Sequence, residues 1–129
     1  SGYIFLLDLN GFKRINDTLG HEAGDQLLKK VAIRFSRALP ADALIARLGG
    51  DEFGVIASIS QQEANELALA LRATLSYPIS LANHQEKIDV SIGYAPIAEE
   101  ADTAESLRRA DSAMYEAKRN NAGSLLWRT

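Results

Sequence analysis

The sequence contains no cysteine, so disulfide bonds and thiolate metal sites are excluded. It also lacks any apolar run near the roughly 20 residues that a transmembrane helix needs, and no basic segment followed by an apolar one opens the chain. A chain without cysteine suits a reducing compartment. We therefore expect a cytoplasmic domain that is not inserted in a membrane.

Acidic residues also outnumber basic residues. The chain has 14 Lys and Arg residues against 17 Asp and Glu residues, which gives a formal net charge of −3 and a pI near 5.3. Proteins that bind nucleic acid depend on Lys and Arg to neutralise phosphates, so this balance argues against a nucleic-acid partner. Any nucleotide that binds here is expected to be a small molecule.

The length of 129 residues suits one domain. A domain of this size buries roughly two thirds of the surface that its unfolded chain exposes, which is enough for a core without disulfides. We expect a single domain over residues 1–129. Because an apolar run begins at Tyr3 with no helix before it, we also expect this domain to be part of a larger multidomain protein.

A glycine pair joins two apolar runs in the middle of the sequence. Residues 43–48 and 53–58 have the composition of strands, and Gly49 and Gly50 lie between them. A two-residue hairpin turn requires a positive φ, which glycine adopts without steric cost. The sequence therefore predicts a β-hairpin with the glycine pair in its turn.

Two acidic residues, Asp51 and Glu52, come directly after this glycine pair. Successive side chains of a strand point to opposite faces, so regular strand geometry would not direct both carboxylates toward one ligand. The two residues would then have different roles. Since turns are usually polar, the simpler alternative is that both carboxylates are only solvated.

A third acid, Asp8, closes the apolar run from Tyr3 to Leu7, which predicts a strand buried on both faces at the centre of a sheet. If the hairpin lies beside this strand, Asp8 and Asp51 converge, and two carboxylates repel unless a proton or a cation lies between them. Mg²⁺ prefers oxygen ligands and is typically held by one or two carboxylates together with water and substrate phosphates. The acid pair therefore indicates a metal ion, and the metal ion indicates a nucleotide.

The segment after Asp8 predicts a short helix, because Phe12 and Ile15 have helical spacing and the loop-forming residues Asn16, Asp17 and Gly20 follow. Backbone amides just after the end of a strand are well placed to bind phosphate. An ordinary turn into a helix would have the same sequence.

Residues 21–39 predict an amphipathic helix. Asp25, in its first turns, could simply favour the positive end of the helix dipole. Alternatively, its carboxylate could accept hydrogen bonds from N1 and N2 of guanine, with Asn16 as a second polar contact, which would select guanine over adenine. The apolar positions that recur at steps of three and four residues are Leu27, Leu28, Val31, Ala32, Phe35 and Leu39.

The rest of the chain predicts two more helices and three more strands. A helix runs from the capping box at Ser60 to Leu75, and a strand over Ile79–Leu81 and a polar turn over residues 82–86 follow. The next strand covers Ile88–Tyr94, and Gly93 within it indicates a bulge or a close backbone approach. A helix from Asp102 to Arg119 then precedes an edge strand over Ser124–Trp127, and the apolar stripe of that helix consists of Leu107, Ala110, Met114 and Ala117.

The sequence resembles a known protein family. The segment Arg47–Phe53, which reads Arg-Leu-Gly-Gly-Asp-Glu-Phe, is similar to the name-giving motif of the GGDEF family of diguanylate cyclases. Four further blocks resemble blocks of that family and follow in the family's order: residues 8–17, 20–25, 90–93 and 110–118. Together they span most of the chain, from Tyr3 to Arg119.

The resemblance implies a fold, an activity and partners. The fold would be α+β, with a central, mostly antiparallel sheet flanked by helices, as in the ferredoxin-like palm domains of class III nucleotide cyclases. The activity would be the condensation of two GTP molecules into cyclic di-GMP, with Mg²⁺ or Mn²⁺, in an antiparallel homodimer of domains. Sensor or phosphodiesterase domains in the parent chain would regulate it, and the parent could be a membrane-bound receptor with this domain in the cytoplasm.

The resemblance also implies roles for individual residues. Metal ligands would be Asp8, Asp51 and the backbone carbonyl of Leu9. Glu52 would join Asp51 as a catalytic residue, either by binding metal or by helping to deprotonate the attacking 3′-hydroxyl. The implied substrate contacts are the phosphate-binding amides around Gly11, Phe12 and Lys13, the guanine-binding side chains of Asn16 and Asp25, the turn residue Gly50, and Lys118 at the triphosphate.

Three positions, at two sites, depart from the family's pattern. Ala122 stands where many members have an arginine that grips the triphosphate, and the loss of such a contact would weaken GTP binding by about 1.5 to 3 kcal/mol unless Arg119 or a partner compensates. Pro40 and Ala43 stand where the family's inhibitory product site has an arginine and an aspartate. A second interpretation is therefore a catalytically silent GTP-binding module that regulates an attached phosphodiesterase or sensor domain. Lys118 also has a simpler alternative, since a cation favours the end of any helix.

Overall fold

The structure is a computed structural model that describes residues 2–81, 83–98 and 102–128. Strands and helices alternate along the chain with short connections. In order they are β1 (Tyr3–Asn10), α1 (Phe12–Leu19), α2 (His21–Ala38), β2 (Leu44–Gly49), β3 (Glu52–Ala57), α3 (Gln61–Ala73), β4 (Ile79–Leu81), β5 (His84–Glu86), β6 (Asp89–Pro96), α4 (Thr103–Arg119) and β7 (Ser124–Leu126).

The main sheet has five strands in the order β2-β3-β1-β6-β7. The central strand, β1, is antiparallel to both of its neighbours, and only β7, at the edge, runs parallel to β6. Residues 3–7 of β1 are all buried. The predictions of a central strand buried on both faces, of an edge strand at the end of the chain and of an α+β fold with a mostly antiparallel sheet are therefore confirmed.

Side chains of β1 alternate between two cores. The odd-numbered residues, such as Phe5 and Leu7, pack in the larger core with α1, α2 and α3. The even-numbered residues Ile4 and Leu6 pack in the smaller core with Ala110 and Met114 of α4. Because alternate residues of a strand share a face, Asp8 belongs to the face that α4 covers.

Gly93 of β6 brings α4 unusually close to the sheet. A Cβ atom built on Gly93 would lie 2.5 Å from the Cα atom of Met114 and closer still to two other backbone atoms of α4. The β1–β6 register runs without interruption from Tyr3↔Pro96 to Asn10↔Asp89, so the strand has no bulge. Of the two predicted explanations for Gly93, a close backbone approach is confirmed.

Helix α3 begins as predicted, with a complete capping box. The Ser60 hydroxyl accepts a hydrogen bond from the Glu63 backbone N–H at 3.2 Å, and the Glu63 carboxylate accepts one from the Ser60 N–H at 3.0 Å. No helix in the described ranges is both long enough and apolar enough to cross a membrane.

Two local predictions were wrong. Residues 84–86, predicted as part of a polar turn, form β5, which pairs with β4 in a second, two-stranded sheet. Ala82, at the start of the predicted turn, lies outside the described residues. The apolar stripe of α4 is buried at Ala110, Met114 and Ala117, but Leu107 remains 37% exposed. Polar composition marked the first of these segments as a turn because short exposed strands need no apolar side chains.

The main hairpin was predicted correctly, but its turn is displaced by one residue. Gly49 pairs with Glu52 at a register shift that follows Arg47↔Phe53, so the turn consists of Gly50 and Asp51. Gly50 has a φ of 47°, in the left-handed region that favours glycine. Asp51 therefore lies in the turn itself, and only Glu52 begins the strand.

We expect Gly93→Ala to destabilise the domain by about 3 kcal/mol, because the added methyl would force the backbone of α4 away from the sheet. Urea unfolding would measure the loss. Gly54→Ala is the matched control, since its Cβ would meet only the flexible Leu48 side chain, at 3.2 Å, and should cost less than about 1 kcal/mol. Equal losses for the two variants would show that the close approach of α4 is not the constraint.

Candidate active site

The acidic residues meet where β1 ends beside the hairpin turn. Asp8 lies directly opposite Glu52 in the β1–β3 ladder, and the next residue of β1, Leu9, donates its backbone N–H to the carbonyl oxygen of Asp51 at 3.0 Å. The Arg47 side chain donates from Nε to the carbonyl oxygen of Gly50, also at 3.0 Å. The first of these hydrogen bonds holds the turn against the end of the central strand, and the second braces the turn from within the hairpin.

Both acids of the hairpin lie close to Asp8. Glu52 is the cross-strand neighbour of Asp8 on the face covered by α4, and the Asp51 carboxyl is close enough to interact with the Asp8 carboxyl from the turn. The expectation that Asp51 and Glu52 would not face the same place was therefore wrong. Strand alternation does not apply to Asp51, because the register shift leaves that residue in the turn.

The cluster carries excess negative charge. Partial burial raises the pKa of Asp51 above its ordinary value, and the neighbouring Asp8 carboxylate raises it further. Burial also raises the pKa of Glu52, followed by the repulsion of Asp111, Asp8 and Asp51. Raised pKa values at both residues mean that folding partly buries these carboxylates, and that it also holds them near like charges.

One cation, Lys118, opposes this charge. Its ammonium group, at the end of α4, donates to the Asp8 carboxylate in an ion pair whose Asp8 side chain is only 15% exposed. A lysine at the end of a helix is explained by the helix dipole alone, but the structure places this lysine against the acidic cluster. The close packing of α4 at Gly93 fixes that position.

The donor set fits a hard divalent cation. Asp8 and Asp51 supply two carboxylates that already repel each other, and magnesium sites commonly use one or two carboxylates. In the part of the chain that the structure describes, no three His, Asp or Glu side chains form a ligand cluster. The remaining ligands of a bound ion would therefore be backbone oxygen, for which the carbonyl of Leu9 is the predicted candidate, together with water and substrate phosphate.

The predicted phosphate-binding segment follows β1 directly. Gly11 has a φ of 95° and is the N-cap residue of α1, and no side chain within the described residues caps the helix there. The first amides of α1, at Phe12 and Lys13, are therefore left for a ligand or water. The Lys13 side chain pairs with Asp17 at 3.0 Å on the exposed side of α1.

The two predicted guanine contacts lie on different helices, Asn16 on α1 and Asp25 near the start of α2. Asp25 lines an open pocket of about 420 Å³ between α2 and the hairpin, together with Leu28, Arg47 and Phe53. Asn16 of α1 lies against Gly24, the residue before Asp25, and its buried Oδ1 atom has no hydrogen-bond partner among the residues that the structure describes. Asn16 therefore contacts α2 one residue away from Asp25, and of the two only Asp25 lines the pocket beside the hairpin.

Two residues near the cluster were not singled out from the sequence as parts of the site. Arg47 braces the turn, and Asp111 of α4 adds negative potential at Glu52. Asp111 precedes Lys118 by seven residues, or two helical turns, which places both on one side of α4. That spacing could have indicated Asp111. Nothing local to the sequence indicates that the Arg47 side chain turns back to Gly50.

Fold and site together define the class of protein: a palm-like α+β domain with an acidic cluster at the end of its central strand. The model of the family described as "Diguanylate cyclase, GGDEF domain" matches residues 1–124. The chain belongs to the GGDEF family.

Relatives with established names agree with this assignment. The chain is 44% identical over 122 residues to the signaling protein YkoW of Bacillus subtilis, 42% identical over 125 residues to the diguanylate cyclase TpbB of Pseudomonas aeruginosa, and 39% identical over 124 residues to the cyclic di-GMP phosphodiesterase NbdA of the same species. These matches cover 92%, 94% and 92% of the chain, but only 15%, 29% and 16% of the three relatives.

The crystal structure of the TpbB GGDEF domain superposes with a TM-score of 0.92 at 38% identity, covering 99% of this chain and 83% of that one. This likeness shows the palm-like cyclase fold. The chain spans less than a third of the full length of YkoW, TpbB and NbdA.

We expect Asp51→Asn to stabilise the metal-free domain near pH 7. The folded-state pKa of Asp51 is raised, so ionisation opposes folding, and the stability present at low pH is lost as the pH rises through that pKa. Removing the charge should add about 0.5 kcal/mol near pH 7, because the group is partly solvated, and almost nothing near pH 4. Thermal unfolding across this pH range is the measurement.

Added Mg²⁺ should reverse the order of stability, because it neutralises the acid pair in the parent and finds only one carboxylate in the variant. Asp42→Asn, in the exposed turn before β2, is the control and should respond to neither pH nor Mg²⁺ in this way. A parent melting temperature that Mg²⁺ leaves unchanged at millimolar concentration would contradict the assigned metal site.

Proposed function

We propose that this domain is a diguanylate cyclase, which condenses two GTP molecules into cyclic di-GMP in an antiparallel dimer of domains. The observation that carries the proposal is the cluster of Asp8, Asp51 and Glu52 beside Lys118 at the end of the central strand. An acidic cluster of this kind costs stability, and it suits a site that binds a divalent cation and a polyphosphate.

The reaction is the in-line attack of a ribose 3′-hydroxyl on an α-phosphate, with loss of pyrophosphate. A divalent cation, Mg²⁺ or Mn²⁺, held by Asp8, Asp51 and the Leu9 carbonyl would neutralise charge on the attacking and leaving oxygens. Glu52 is the candidate to accept the hydroxyl proton, because its raised pKa brings it nearer to the neutral range in which a proton acceptor works best.

The other residues bind and position the substrate. The first amides of α1, together with Gly50 in the turn, would contact phosphate, and Lys118 would neutralise the triphosphate. Asn16 and Asp25 would accept hydrogen bonds from the N1 and N2 groups of guanine. Adenine does not present these two donors together, so ATP would leave the acceptors unpaired and would be rejected.

Catalysis would require two domains. Each domain presents one such cluster and binds one GTP, so two bound nucleotides must face each other before either hydroxyl reaches the other's phosphate. Sensor or phosphodiesterase domains in a longer parent chain would set the effective concentration of the pair. The relatives fit this arrangement, since the matched region is a small part of each.

A second candidate function is a GTP-binding module without cyclase activity. Ala122 is exposed just after α4, where its backbone N–H donates to the Ala117 carbonyl oxygen at 2.8 Å and its methyl group offers no charge to a phosphate. A relative at 39% identity is named a phosphodiesterase. We favour the cyclase, because Glu52, the candidate proton acceptor that nucleotide binding alone does not require, is present beside the two carboxylates assigned to the metal.

Turnover of GTP with Mg²⁺ is the first test. At high protein concentration, or with the domain fused to a dimerising segment, the parent should form cyclic di-GMP, and Asp51→Ala should reduce the rate by at least about 100-fold. Chromatography of the nucleotides separates product from substrate. Asp42→Ala, with its side chain in the exposed turn before β2, is the control and should retain the parent rate.

The same assay separates the two candidate functions. Enforced dimers that bind GTP but form no product would favour the silent module. A variant Asp51→Ala that keeps full activity would contradict the assigned site whichever function holds.

Inhibition by product should be weak in this domain. Pro40 and Ala43, which flank the exposed turn before β2, offer neither a cation nor an anion to a cyclic dinucleotide. We expect the initial rate to be unchanged, within about twofold, at cyclic di-GMP concentrations near 100 times those of the enzyme. Tight binding of cyclic di-GMP at residues 40–43, by titration or in a crystal, would show this prediction to be wrong.

A further inference from the structure

Helices α1 and α2 contact each other closely at Asn16 and Gly24, and this contact depends on the absence of a side chain at Gly24. A Cβ atom at Gly24 would lie 2.9 Å from Cγ of Asn16, closer still to its Oδ1, and 3.4 Å from Cζ of Phe12. Gly24 itself is fully enclosed, in the first turn of α2. The missing side chain leaves a space that the Asn16 carboxamide fills.

Backbone conformation does not explain this glycine. Gly24 is absent from the glycines of the described chain that have a positive φ, and its backbone N–H makes an ordinary helical hydrogen bond to the Gly20 carbonyl at 3.1 Å. Alanine would be the better helix former at such a position. The glycine is therefore explained by the room it leaves for Asn16.

The Asn16 carboxamide has an unfilled acceptor. Within the described ranges its Oδ1 atom is buried without a hydrogen-bond partner, and a buried polar atom in that state is unfavourable unless a ligand or water supplies a donor. Guanine offers three N–H bonds on one edge, at N1 and at the exocyclic 2-amino group. The neighbouring Asp25 carboxylate can accept two of them, which leaves one 2-amino hydrogen for Asn16.

We infer that Gly24 is a positioning residue for base selection. By lacking a Cβ atom, it lets the Asn16 carboxamide lie between α1 and α2, and in the nucleotide complex the Oδ1 atom that is buried there would accept from the 2-amino group of a purine. This inference rests on the proposed binding of GTP and adds a residue that touches no ligand itself.

Inosine triphosphate is the probe, because it differs from GTP only by the absence of the 2-amino group. The parent should bind GTP about tenfold more tightly than ITP, with Mg²⁺ present, and Gly24→Ala should reduce that ratio to about two by weakening GTP binding. Titration calorimetry on the dilute domain, kept below the concentration at which two domains meet and turn GTP over, gives both affinities. A purely structural effect of the added methyl would weaken both nucleotides equally and leave the ratio unchanged.

A double-variant cycle shows whether the effect passes through Asn16. Asn16→Ala alone should also lower the GTP-to-ITP ratio to about two, and adding Gly24→Ala to it should change the ratio no further. In thermal unfolding, Gly24→Ala should lower the melting temperature of the parent, and Asn16→Ala should remove most of that loss by vacating the space. The thermal cycle needs no nucleotide, so it applies even if one variant binds poorly.

The outcomes separate the inference from the proposed function. A parent that binds GTP, with Gly24→Ala retaining the full ratio, would overturn the inference and leave the proposed function standing. Additive melting losses in the double variant would also overturn it, because the methyl would then clash with something else. A parent that binds neither nucleotide would overturn both.

Discussion

The mutual repulsion of Asp8 and Asp51 is the constraint on which the site depends. One carboxylate closes the buried central strand and the other lies in the hairpin turn, and the hydrogen bond from Leu9 to the Asp51 carbonyl fixes the turn in place. The sheet and the turn therefore hold the two carboxylates close together, and acidic side chains gather at the end of the central strand.

Helix α4 completes the acidic site, because its close packing on β6 at Gly93 determines where Lys118 lies. Gly93 and the small buried residues Ala110 and Ala117 let the helix lie almost on the backbone of β6, and this depth is what brings Lys118 to Asp8. The same helix brings Asp111 near Glu52. A single scaffold element thus sets both the opposing cation and part of the excess negative charge, so small shifts of α4 would change the electrostatics of the whole cluster.

Local patterns predicted much of this architecture and the identity of the acids. The apolar run ending at Asp8, the capping box at Ser60 and the glycine in β6 each have a physical requirement that can be recognised within a few residues. The displaced hairpin turn, the brace from Arg47 to Gly50 and the fit of Asn16 against Gly24 depend on register and on packing between elements. Such features follow from the assembled fold, which is why sequence spacing indicated the residues of the cluster better than it indicated their geometry.

The ion pair of Lys118 with Asp8 links the affinities of two different ligands. While the ammonium group is bound to Asp8, that carboxylate is a weaker site for a cation, and the lysine is a weaker site for an anion. An anion that draws Lys118 away restores the full charge of Asp8, and a cation at Asp8 releases Lys118 by the same free energy. Linkage makes this effect reciprocal, so a polyanion and a divalent ion would bind this domain with positive cooperativity even if they never touched each other.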